Sequence, residues 1–273
     1  MRLQGKIQMI ERFQKINGHT LKILACLTML IDHIAAGIMI PWAQEGIIPQ
    51  HMSLDQLNKI YYAMRCIGRC AFPIFCFLLV EGFIHTKSRL RYACSLLVFS
   101  FISEIPFDIL FHSQYEQLNI HVSEVFAANK DFFSEQCNVY FTLFFGLLTI
   151  WAIDRCYRLF KDKELPVYLN ALTIAAFTFL FCFITIKINS DYDFHGILLI
   201  VIFYLLRNLE PLNLLTGYVA ISSYSIEFWC FPAFLVMLLY NHKRGPNLGY
   251  FKYLFYLFYP LHLTALYVYR CIM

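Results

Sequence analysis

The sequence predicts an all-α, polytopic integral membrane protein, a bundle of about nine transmembrane helices (roughly eight to ten) preceded by a helix on the membrane surface. Three observations predict it. Apolar residues make up 59% of the 273-residue chain and charged residues only 15%, with 28 Phe and 18 Tyr supplying much of the excess over a soluble domain. The apolar runs are long enough to cross a hydrocarbon core of about 30 Å, which takes roughly 20 helical residues, and no soluble domain fits between them. The Lys and Arg residues flank these runs asymmetrically.

In chain order, residues 1–18 (MRLQGKIQMIERFQKING) place Leu3, Ile7, Ile10 and Phe13 at helical spacing among basic residues and carry no small-residue cleavage site. They are expected to form an amphipathic interfacial segment ahead of a single transmembrane domain, residues 19–273. Asn17 and Gly18 end that segment, and Thr20 is placed to cap the next helix. Apolar runs then predict spans near 21–42, 60–84, 90–112, 139–158, 166–187, 194–208, 211–226, 227–241 and 253–271, several of them short or interrupted by Pro.

Placing the N-terminus in the cytoplasm puts Arg2, Lys6, Arg12, Lys15, Lys22, Lys87, Arg89, Arg91, Arg155, Arg158, Lys161, Lys163, Arg207, Lys243, Arg244 and Lys252 on that side. The opposite side keeps Lys59, Lys130, Lys187 and Arg270 beside acidic loops holding Glu116, Glu124, Asp131, Glu135, Asp191 and Asp193. This is the positive-inside pattern, and nine spans then leave the C-terminus outside. The net charge of +4 is small and its basic residues border apolar runs, which excludes a nucleic-acid partner. The ten cysteines fall mostly inside apolar segments without C-x-x-C pairs and read as small core residues; no H-E-x-x-H motif or other metal set is present.

Ionisable residues inside the spans are the candidates for function, because they are costly there. Asp32 and His33 lie in the middle of LKILACLTMLIDHIAAGIMIP, residues 21–41. From Lys22 to His33 the rise is roughly 16 Å and the rotation almost three whole turns, so the two share a face, the lysine at the cytosolic rim and the histidine deep inside. Asp32, about 100° away, points toward another helix. The second span offers Arg65 and Arg69, the third Glu104 and Asp108, each pair at i, i+4 and similar depth. Antiparallel packing predicts Arg65 opposite Asp108 and Arg69 opposite Glu104. Asn138 opens the fourth span and His195 the sixth, at the outer boundary, and His262 lies inside the last.

The segments KILACLTMLIDH, RCIGRCAFPIFCFLLVEGFIHT, SEIPFDIL, NVYFTLFFGLL, HGILLIVIFYLLR, LLYNHKRG and YLFYPLHL, running from residue 22 to 263, resemble in order the TraX family. Its named member is the F-pilin acetylase, and the family is related to broader transmembrane acyltransferases acting on sugars and peptides. The resemblance implies a bacterial inner-membrane enzyme that uses acetyl-CoA or another acyl-CoA and a pilin-like peptide, glycan or small-molecule acceptor. In those relatives a basic residue, ten intervening residues and a catalytic histidine mark the first helix; Lys22 and His33 are similar in spacing, which implies catalysis by His33.

With that reading, Asp32 joins His33 in the catalytic pair, and Lys22, Arg65 and Arg69 contact the acyl-CoA. Glu104, Asp108, Asn138 and His195 line the acceptor's path. The competing expectation is a proton-coupled transporter that uses Asp32, His33, Glu104 and Asp108 as a relay, against which stands the lack of a visible internal repeat.

Overall fold

The computed structural model describes residues 14–44, 52–112, 136–246, 249 and 253–272. The expected interfacial segment lies outside these up to residue 13, as does most of the expected acidic outer loop between the third and fourth spans.

Every apolar run of the sequence becomes helix. α1 (Gly18–Ile34) passes through a π-helical turn (Ala35–Met39) into the short α2 (Ile40–Gln44). There follow α3 (Leu54–Gly68), α4 (Ala71–His85), α5 (Arg89–Phe111), α6 (Val139–Asp162), α7 (Tyr168–Lys187), α8 (Asp193–Leu205) and α9 (Leu212–Ile221). A 3-10 turn (Glu227–Cys230) leads into α10 (Phe231–Leu238), and α11 (Leu254–Ile272) ends the described chain.

Among the described residues five segments are long and apolar enough to cross a bilayer: Gly18–Ala43, Leu54–His85, Arg89–Phe111, Val139–Asp162 and Tyr168–Lys187. The sixth to eighth expected spans are shorter apolar helices: Asp193–Leu205, with 13 residues, rises only about 20 Å. The protein is a helical membrane protein.

Local chemistry sets the helix starts. Asn17 caps α1, its side-chain oxygen accepting from His19 N at 3.0 Å and Thr20 N at 2.9 Å. Thr20, expected to cap, sits in the first turn instead and donates its hydroxyl to the same oxygen at 3.2 Å. Standing one step before the first helical residue, the Asn17 side-chain oxygen reaches both orphan N–H groups, a contribution of about 1 kcal/mol. Ser53 and Gln56 form a reciprocal capping box at α3, and Ser88 caps α5. The second expected span is two helices, because the chain turns at Arg69–Cys70, where Cys70 N bonds back to Ile67 O at 3.2 Å.

The chain groups into two compact units. The first comprises residues 1–78 and 208–255, the second 79–207 and 256–273. In the first, α1 packs on α3, and the 3-10 turn packs on α3, α9 and α10. Trp229 of that turn donates to the Tyr62 hydroxyl at 2.9 Å. The end of α10 is stitched to the chain ahead of α1: Ile16 N donates to Leu239 O and Asn241 N to Ile16 O.

In the second unit, α6 packs against α5, α7 and α8. Asp154 of α6, buried, ties three of these helices together: it accepts from Arg89 at the start of α5 and from the Tyr204 hydroxyl of α8 at 3.0 Å, with Arg158 at 3.1 Å one turn along its own helix. α11 joins the same unit through Arg270, which donates to Leu110 O at 2.9 Å, and through the Tyr140 hydroxyl, which donates to Tyr256 O. Replacing Asp154 by Ala strands Arg89 and removes an acceptor from Tyr204. The expected cost is about 3 kcal/mol, read as a lowered midpoint of thermal unfolding in detergent; an unchanged midpoint would remove Asp154 as the joint of this unit.

Candidate functional site

The candidate site lies in the first unit and is built on the last turn of α1. That turn carries Asp32, which is buried, and His33, which is half-buried, near the middle of the 26-residue span Gly18–Ala43. The π turn begins two residues after His33. Such turns insert an extra residue into the helix and recur at functional sites.

Asp32 meets α3 and its end. One carboxylate oxygen accepts from the Arg65 guanidinium at 2.7 Å, and both oxygens accept from an Arg69 terminal nitrogen, at 2.7 and 2.6 Å. Arg69 turns its other terminal nitrogen to Glu227 Oε1 at 2.8 Å and its Nε to the Arg65 carbonyl at 3.3 Å. Glu227, at the start of the 3-10 turn, is wholly buried. Two carboxylates and two guanidiniums thus balance in charge where hydrocarbon surrounds the protein, and the short charge-assisted bonds offset part of the desolvation of four ions.

The approach of α3 to Asp32 depends on Gly68. A Cβ built there would overlap the Asp32 carboxyl group itself, with contacts to its Cβ, Cγ and Oδ1. Gly68→Ala is therefore expected to push Asp32 out of register with both arginines and to destabilise the protein by about 2 kcal/mol. Thermal unfolding checks this, and a variant as stable as the wild type would show that the cluster tolerates a wider spacing.

Lys22, half-buried three turns before His33, holds its ammonium 5.6 Å from the centre of the Phe255 ring. The expected common face of Lys22 and His33 follows from the unbroken α-helix between them.

Within the first unit Arg65 pairs with Asp32, and Arg69 with Asp32 and Glu227, where Gly68 lets α3 approach Asp32 closely. Glu104 and Asp108 lie on α5 in the second unit. Glu104 Oε2 accepts from the Asn138 backbone N–H at 3.0 Å and from its side-chain amide, which also donates to Ser100 O at 2.8 Å. The Asn138 side-chain oxygen accepts from Tyr140 N at 2.9 Å and so caps α6. Asp108 pairs with His112 at 3.4 Å and His195 with Asp193 at 3.2 Å.

Of the nine expected site residues, Lys22, Asp32, His33, Arg65 and Arg69 therefore belong to the first unit, and Glu104, Asp108, Asn138 and His195 to the second. His262, also in the second, bonds through Nδ1 to the Phe258 carbonyl one turn back at 2.6 Å. Sequence reasoning missed Glu227 and Gly68. The signal for Glu227 was a lone carboxylate at the head of an aromatic run, EFWCF, which is the kind of residue that needs a buried cation. For Gly68 there was only its place between two intramembrane arginines.

Fold and site together define a polytopic helical membrane protein that keeps a charge-balanced carboxylate–guanidinium cluster beside an intramembrane histidine. The chain belongs to the TraX family: the family model described as TraX protein matches residues 17–270, as the ordered motifs indicated. It is 28% identical over 258 residues to the probable fimbrial assembly protein FimC, serogroup H1, of Dichelobacter nodosus, an alignment that covers 90% of this chain and 92% of that relative. No solved structure matches it.

Proposed function

We propose that the protein is an acyl-CoA-dependent transmembrane acyltransferase of the bacterial cytoplasmic membrane, with its N-terminus cytoplasmic. It moves an acetyl or other acyl group to an amine or hydroxyl of a pilin-like peptide or another acceptor at the membrane. The observation that carries this reading is the single unbroken helix with Lys22 near its start and His33 near mid-span, His33 being next to a carboxylate held by two arginines. The family and a relative named for fimbrial assembly support the acceptor class.

In this reading the phosphates of the donor meet Lys22 and the pantetheine arm runs along α1, which brings the thioester to His33. The neutral imidazole takes a proton from the acceptor amine or hydroxyl as its lone pair attacks the thioester carbonyl carbon. The new C–N or C–O bond forms, the C–S bond breaks, and the departing thiolate receives the proton from the imidazolium. Arg65 stabilises the developing oxyanion in this reading. Arg69, bonded on one side to Asp32 and on another to Glu227, and Asp32 itself act as positioning residues. Glu104, Asp108, Asn138 and His195 belong to the acceptor side, where Asn138 fixes the α5–α6 joint.

The proton-carrier reading fits less well, since both oxygens of Asp32 are engaged in tying α1 to Arg65 and Arg69. The test is transfer of label from radioactive acetyl-CoA to pilin-like peptide, glycan and amine acceptors by the purified protein in lipid nanodiscs. Labelled acceptor and an equal amount of free coenzyme A thiol are expected. Substrate-driven proton flux in liposomes with no acceptor labelled would overturn the enzyme in favour of the carrier.

A further inference from the structure

The LLYNHKRG motif has no part in the chemistry above, yet its turn is fastened to the start of α1. Gly18 N–H donates to the Lys243 carbonyl at 2.9 Å, and a Cβ on Gly18 would lie 3.5 Å from the Arg244 carbonyl oxygen and 3.7 Å from its Cα. Gly245 follows at φ +90°, and a Cβ there would come within 2.9 Å of the Asn17 oxygen that caps α1. Glycine is thus the residue that lets the turn take this path.

The result is a concentration of positive charge. Arg244 is a charged neighbour of Lys22, and it is a like charge. His19 packs edge-on against Phe255, the ring beneath the Lys22 ammonium, with centroids 5.1 Å apart. Among the described residues no carboxylate forms an ion pair with Lys22, Lys243 or Arg244; Glu210 is engaged with His242 of the same turn at 3.4 Å. Elsewhere in the first unit, at Asp32 and Glu227, arginines meet acids with matched charge. The backbone clamp brings the turn that carries Arg244 onto the start of the helix that carries Lys22, and a bound anion would relieve the repulsion between two like charges held there.

We propose that Lys22 and Arg244 form a two-cation site for a phosphate group. Arg244 supplies the planar fork suited to phosphate oxygens and Lys22 a point charge near the hydrocarbon rim. The proposal rests on the donor reading only for the source of the phosphate, which is coenzyme A in that reading; an anionic phospholipid headgroup offers the same chemistry.

The experiment is equilibrium binding to the full-length protein in phosphatidylcholine nanodiscs. The ligands are coenzyme A and its 3′-dephospho form, and the proteins are the wild type, Lys22→Gln, Arg244→Gln and Arg244→Lys. Coenzyme A is expected to bind roughly tenfold more weakly to either Gln variant, with Arg244→Lys retaining part of the affinity, which separates charge from collapse of the turn. Equal binding by wild type and Arg244→Gln would overturn the site and leave the donor reading standing. If the wild type binds no coenzyme A but retains phosphatidylglycerol over phosphatidylcholine, and Arg244→Gln does not, the phosphate site holds with a lipid source and the donor reading falls. No preference for either phosphate ligand would overturn both.

Discussion

His33→Ala is expected to abolish acyl transfer while leaving a folded protein that still binds the donor. A positioned general base contributes about 10²–10⁴ in rate, so turnover should fall by roughly a thousandfold. Donor affinity rests on Lys22, three turns away on the same helix, and should stay within about twofold. The fold should survive because the buried charges beside His33 are satisfied without it: Asp32 takes all its described bonds from Arg65 and Arg69. Turnover and donor binding measured on the same preparation separate a chemical role from a packing role. Loss of both together, with a lowered unfolding midpoint, would mark His33 as a core residue.

Arg69→Ala is expected to have the largest effect on stability. Arg69 is the shared partner of the two buried carboxylates, bonded to both oxygens of Asp32 and to Glu227 Oε1. Removing it takes a guanidinium from both buried acids and leaves Arg65 bonded to Asp32. Breaking a buried ion pair from one side costs about 3–5 kcal/mol, and here two pairs break at once, so the variant should unfold roughly 10 °C or more below the wild type. Glu227→Gln, which keeps an acceptor for the Arg69 N–H but loses its charge, should cost less. A midpoint for Arg69→Ala within a degree of the wild type would show that this cluster does not hold the first unit together.

The order and approximate bounds of the apolar helices were legible in the sequence because a span is a local property: apolar length and flanking charge fix it. Where those signals weakened, the structure departed from them. The run 60–84 is continuous in composition, but it turns at Arg69 so that one guanidinium reaches both Asp32 and Glu227. The π turn after Ile34 has no sequence signal beyond the small residues Ala35, Ala36 and Gly37.

Partner choice is not local. Glu227 is 158 residues from the arginine it holds, and Asp32 meets Arg65 and Arg69 where Gly68 lets α3 approach it, a contact that no periodicity reveals. Asn138 shows the reverse case: an Asn immediately before an apolar run is a helix-cap signal, and the side chain is used as one.

In the proposed reaction an acyl group passes from coenzyme A to an acceptor at the membrane with His33 as general base. A single-turnover assay with labelled acetyl-CoA, wild type beside His33→Ala in the same nanodisc preparation, tests it most directly. One equivalent of acceptor labelled per wild-type site is expected, with a rate at least about a hundredfold lower in the variant despite equal donor occupancy. Equal rates in the two proteins, or label that leaves the donor in neither, would contradict it.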